Sequence, residues 1–180
     1  PCRKPRYASP TMRRRPTAPP DPAQCYDAAL RMLSYRFRGI EELRRKLRDK
    51  GFDDTAIGDA IERLTREQWL DDERFAVAYA RTRFQKLLGG RRVVSELREL
   101  GIDEHLAADA LIAAAEDEPE DARIRALAEK RVRILVRAKG REFTASDEGR
   151  QRLIGWIMKQ GYDYGAASAV VREVVKSLSS

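Results

Sequence analysis

Gly51-Phe52-Asp53, Gly101-Ile102-Asp103 and Gly161-Tyr162-Asp163 decide how this 180-residue chain is read. Each is a glycine, an apolar residue and an aspartate, set between two stretches of helical character. Glycine just past a helix takes positive φ at little steric cost and ends the helix in a left-handed turn. The apolar residue folds back onto the last helical turn. The aspartate accepts hydrogen bonds from the free N–H groups of a new helix and suits its positive end. The three glycines are 50 and then 60 residues apart, the spacing of one helical unit written three times.

The flanking apolar positions share a register. Leu43, Val93 and Leu153 stand eight residues before each glycine, and Leu47, Leu97 and Ile157 stand four before. Nine after come Ala60, Ala110 and Val170; ten after, Ile61, Leu111 and Val171; thirteen after, Leu64, Ala114 and Val174. Intervals of three and four place each set on one helical stripe, so two stripes meet across each turn.

Helices are expected over 23–36, from Gly39 to Gly51, and over 53–68, 72–88, 91–100, 103–117, 119–138, 146–160 and 163–178. Within 72–88 the apolar stripe is read as Phe75, Ala78, Tyr79 and Thr82. Within 91–100 it is read as Val93, Val94 and Leu97. Pro119 is placed in the first turn of its helix. Residues 139–144 form a longer connector, which absorbs the ten extra residues of the third unit. No strand pattern emerges. The expectation is an all-α protein of nine helices in three tandem three-helix repeats, 23–70, 71–118 and 119–180.

Residues 1–22 carry seven prolines and six bases and read as a disordered cationic arm. The chain opens on Pro1 rather than Met, and Met12 is one candidate start. The net charge of +7 resides mostly in that arm; residues 21–180 sum to only +1. Charge in the body is blocked: +5 over 74–100, −8 over 101–122 and +7 over 123–141. Such blocks give a molecule basic and acidic faces. Cys2 and Cys25 are too few for a disulfide framework or a zinc site, and His105 is the single histidine. No base–nucleophile pair or phosphate loop is present, so no enzyme, cofactor or metal site is expected. There is no membrane span and no secretory signal, and a cytoplasmic location follows.

Asp71-Asp72-Glu73 reads as a helix start, Asp71 capping and the other acids filling the positive end of the dipole, with Trp69 and Leu70 positioned to staple the turn. Gly89-Gly90 reads as a cap or hinge. On 119–138, Arg123, Lys130, Arg133 and Arg137 are assigned to the side opposite Ile124, Leu127, Ala128 and Leu135.

These strings resemble the RecX family. Glu42-Leu43-Arg44-Arg45-Lys46-Leu47-Arg48-Asp49-Lys50-Gly51-Phe52 is similar to its first repeat, and Leu70-Asp71-Asp72-Glu73-Arg74-Phe75-Ala76 to its most recognisable string. Glu96 to Ile102 matches the second repeat and Leu153 to Tyr162 the third. The resemblance spans roughly residues 24–178. Gly90, the longer third connector and the N-terminal arm depart from it. The resemblance implies three helical units in an elongated, curved array, without catalysis. It also implies binding to the RecA filament on single-stranded DNA, with inhibition of RecA ATP hydrolysis and strand exchange and damping of recombination and the SOS response. Double-stranded DNA is a second candidate ligand, and a monomer is expected. Contact candidates, chosen from the basic stripes, are Arg44, Arg45 and Arg48; Arg81, Arg91, Arg92 and Arg98; and Lys130, Arg133 and Arg137. Gly51, Asp53, Asp71, Asp72, Phe75, Gly101, Asp103, Gly161 and Asp163 are read as structural. The competing reading is a helical nucleic-acid-binding regulator that acts independently of RecA.

Overall fold

A computed structural model describes residues 21–117 and 119–177, and every regular element among them is an α-helix. Residues 1–20 of the expected arm lie outside the described residues. The helices are α1 (Pro22–Tyr35), α2 (Ile40–Asp49), α3 (Asp54–Arg66), α4 (Asp72–Gln85), α5 (Gly90–Glu99), α6 (Glu104–Ala115), α7 (Glu120–Lys139), α8 (Arg141–Ala145), α9 (Asp147–Lys159) and α10 (Tyr164–Lys176). Ten helices stand among the described residues where nine were expected. Gly140, at φ +88°, ends α7, and the connector then winds into α8, whose five residues are too few to carry a periodic signal. Pro119 is the cap residue before α7 rather than part of its first turn.

The stop-and-start chemistry is local. Gly51, Gly101 and Gly161 adopt φ of +91°, +89° and +98°. Their amides donate to the carbonyls of Arg48, Arg98 and Met158 at 2.8–2.9 Å, closing the preceding helices. Asp53 then accepts from Ala56 N at 2.8 Å, and Asp163 from Gly165 N at 2.7 Å. Asp103 accepts from His105 N at 2.9 Å and from Leu106 N. Those amide bonds, that of His105 first, hold the Asp103 carboxyl below the usual range.

Burial follows the shared register. Leu43, Val93, Leu153, Leu47, Leu97 and Ile157 are all at most 1 % exposed. The buried apolar side chains fall into three separate clusters, running from Cys25 to Leu70, from Phe75 to Ala114 and from Ile124 to Val175. Within each group the first helix packs on the last: α1 on α3, α4 on α6, and, across the four helices of the third, α7 on α10. Each unit thus has its own small core and leans on its neighbour only at the joints, as repeat proteins do.

Three details of the stripes differ from expectation. On α4 the buried set is Phe75, Ala76, Ala80 and Phe84, while Ala78 and Thr82 face out. Phe84 is the large anchor that pulls the helix round to this face. Val94 is only half-buried. Leu70 is 2 % exposed and packs into the first core rather than onto the α4 stripe, and Trp69 is left 59 % exposed.

Candidate interaction surface

Two joints hold the units in sequence, and each sets a turn glycine against the N-terminal end of a helix in the unit before it. In the first, Ile40 N at the start of α2 donates to Asp72 Oδ1 at 2.8 Å, and Arg45 Nη2 donates to Glu99 O at 2.8 Å. Gly101 sits so close to α2 that a Cβ there would lie 2.4 Å from Glu41 Cβ. In the second, Gly89 N donates to Gln160 O at 2.8 Å and Arg91 N to Gly161 O at 3.3 Å. Arg91 Nη2 reaches Tyr162 O and Asp163 Oδ2, both at 3.0 Å. The turn of one unit therefore docks on the N-terminus of the middle helix of the unit before it.

The joints account for several charged residues. Burial pushes the Asp72 carboxyl above the ordinary aspartate range, against the lowering effect of its bond from Ile40 N. Arg123 is not on the solvent side of α7, as the sequence suggested. It is 2 % exposed, its guanidinium 3.5 Å from the centre of the Phe84 ring in the neighbouring unit. It borders the Leu127 stripe at i, i+4, a spacing that marks it in the sequence. Glu42, in the first turn of α2, is 6 % exposed and pairs with both Arg36 and Arg38. Tyr79, Arg83 and Glu96 form a further network, with Tyr79 OH donating to Glu96 Oε2 at 3.0 Å and Arg83 Nε 2.7 Å from the same oxygen.

The ten candidate contact residues divide sharply. Arg44 pairs with Glu41 at 3.0 Å, and Arg92 with Glu96 at 3.2 Å. Arg48 pairs with Asp54 at 2.7 Å, and Arg98, fifty residues on, with Glu104 at 3.6 Å. These two clamp the turns at Gly51 and Gly101. Arg81 pairs with Asp117 at 2.7 Å, tying α4 to the exit of α6. Arg45 and Arg91 belong to the joints. Lys130, Arg133 and Arg137 are exposed and have no ion-pair partner among the described residues. Their i, i+3, i+7 spacing aligns them along two turns of α7, about 10 Å of cationic ridge.

An aromatic surface near the first joint was not singled out in the sequence. Phe37 and Trp69, both more than half exposed, flank a groove completed by Leu30, Leu33 and Ser34. No group of three or more His, Cys, Asp or Glu side chains is arranged to hold a metal among the described residues, and no described helix is long and apolar enough to cross a membrane.

Comparison with known proteins addresses the same units. The family model described as RecX, first three-helix domain, matches residues 25–64, and that described as RecX, second three-helix domain, matches residues 71–111. The chain is 36 % identical over 143 residues to the regulatory protein RecX of Trichlorobacter lovleyi, covering 78 % of this chain and 89 % of that protein. The chain belongs to the RecX family. The regulatory protein RecX of Amycolatopsis mediterranei is 32 % identical over 153 residues, spanning 84 % of this chain and 81 % of its own. The crystal structure of RecX from Lactobacillus salivarius superimposes with a TM-score of 0.72 at 26 % identity, over 85 % of this chain and 96 % of that one. The all-helical RecX fold and a regulatory role are thereby established for it.

Proposed function

We propose that this RecX-family protein binds the RecA filament on single-stranded DNA and mainly inhibits its ATP hydrolysis and strand exchange, damping recombination and the SOS response. The observation that carries the reading is the Lys130–Arg133–Arg137 ridge. The other seven candidate cations are engaged within the chain, and this stripe alone among the ten is left for an external anion. Three sequential units, taken as 23–70, 71–118 and 119–180, give a modest chain a long surface, suited to several filament subunits. DNA phosphate or an acidic protein face fits the ridge. The protein acts by binding and not by catalysis, as a cytoplasmic monomer, with the paired arginines of α2 and α5 as secondary contacts and duplex DNA as a second ligand.

Titration of the protein into RecA on single-stranded DNA tests this. ATP turnover falls at substoichiometric amounts if the reading holds. Unchanged turnover with a folded sample refutes it. A sequence-specific footprint on duplex DNA in the same sample would instead favour a regulator independent of RecA.

A further inference from the structure

Twelve residues before each turn glycine stands another glycine: Gly39 and Gly89, the cap residues ahead of α2 and α5, and Gly149, in the first turn of α9. In the first two units this glycine marks the receiving end of a joint. Gly39 lies against Asp72 and Ile102 of the next unit, each 3.3 Å from the position of a Cβ. At Gly89 a Cβ would stand 2.4 Å from the carbonyl carbon of Gly161 and 2.6 Å from Tyr162 N. Only glycine admits backbone this close.

Gly149 has the same crowding but a different occupant. A Cβ there would stand 2.1 Å from Phe143 O and 2.8 Å from Thr144 O. The third acceptor is filled by α8, from the same unit. The insert is well secured. Thr144 is completely buried and its Oγ1 donates to Gly140 O at 2.8 Å, while Arg150 Nη1 donates to Ala145 O at 2.7 Å. The Phe143 ring lies under Lys139 and Arg152.

The opposite end of the series is uncovered. Gly101 and Gly161 press on Glu41 and Arg92, but a Cβ at Gly51 would meet nothing within 4 Å among the described residues. Ile102 and Tyr162 are buried, whereas Phe52 is only half-buried. The first turn has the dihedral angle, apolar tuck and capping aspartate of the other two, yet docks on no described unit.

We infer that α8 is a built-in stopper over a latent self-association site, and that the acceptor beneath it fits the Gly51-Phe52-Asp53 turn of a second copy of this chain. The chain holds both halves of the joint it uses twice internally. Joining them between molecules would be a head-to-tail contact, which propagates unless blocked, and α8 blocks it. The inference stands independently of the recombinase reading, since it rests on the joints alone.

Two variants test it: replacement of residues 140–145 by a short Gly-Ser link, and Thr144→Arg, which drives the stopper off α9. Both are combined with Cys2→Ser, Lys50→Cys and Arg152→Cys. Lys50 borders the free turn, and Arg152 is the counterpart, sixty residues on, of the Arg92 that Gly161 touches. The expected result is apparent mass rising with concentration across the micromolar range and a disulfide between copies joining the K50C and R152C positions, with neither seen when α8 is intact. Folded variants that stay monomeric overturn the inference, as do cross-links elsewhere only or equal association with α8 intact. Should the replacement lose helicity, Thr144→Arg decides. Loss of helicity in both overturns it too, since a stopper is dispensable to the core it covers.

Discussion

Asp72, near the start of α4, accepts its hydrogen bond from Ile40 N at 2.8 Å, across thirty-two residues of sequence and the boundary between two helical cores. An acid that sequence logic assigns to its own helix dipole also satisfies one of the free amides at the start of α2.

This bond sets a pH-dependent prediction. Burial raises the Asp72 carboxyl above its unfolded value, so the folded chain holds that proton more tightly. The associated stability is full below the unfolded pKa and is lost as pH rises through the folded one. Asp72→Asn keeps an acceptor for Ile40 N and sheds the charge. Urea midpoints of Asp72→Asn and wild type should therefore diverge in favour of the variant from acid to neutral pH. Asp72→Ala should lose about 1 kcal/mol at neutral pH, the cost of an unsatisfied helix-end amide.

Two turn glycines should respond differently to alanine. Gly51→Ala meets only the backbone penalty of positive φ, about 1 kcal/mol. Gly161→Ala pays that penalty and also forces its Cβ to within 2.6 Å of Arg92 N and Cβ, adding about 1–3 kcal/mol of overpacking. Thermal melts of the pair should place Gly161→Ala clearly below Gly51→Ala; equal melting would show that the second joint is not tight.

Glu42 holds two guanidinium groups in a nearly buried position. Glu42→Gln removes the charge while keeping the shape, and should cost about 1–3 kcal/mol, because Arg36 and Arg38 lose their common partner. Chemical denaturation measures this directly. Glu62→Gln, at an exposed site on α3, should change stability by less than about 0.5 kcal/mol.

Charge reversal on α7 separates site from scaffold. Lys130→Glu, Arg133→Glu and Arg137→Glu together should weaken binding to RecA on single-stranded DNA by about tenfold or more at moderate salt, and flatten its salt dependence. Arg48→Glu should chiefly destabilise the turn clamped by Asp54. Filament binding by anisotropy, with circular dichroism as the folding control, distinguishes the two.

The fold was legible where its causes are local. Leu47, Leu97 and Ile157 could be placed because helix period and turn position are written within a dozen residues of each glycine. Asp53, Asp103 and Asp163 cap because a short acid after a left-handed glycine has few other partners. Part of what escaped was set by contacts between units. Phe84 turns α4, and it lies beneath Arg123 from a unit nearly forty residues away. Glu42 was obscured because its partners lie upstream of the α2 start, where no periodic rule applies. The α8 helix was missed because five residues between two helices look the same as a loop. The basic candidates were legible as charges but not as free charges: whether an arginine already has a carboxylate depends on which acids the tertiary fold brings beside it.

The joint at Gly89 and Gly161 sets main-chain amides directly against main-chain carbonyls, with the Arg91 guanidinium bridging to Tyr162 O and Asp163 beside them. These main-chain contacts act together with the Arg123–Phe84 stack across the same two units, and substitutions on outer helical faces away from them leave them untouched. Such a protein can exchange its surface chemistry, residue by residue, to follow a changing partner while its pitch stays the same.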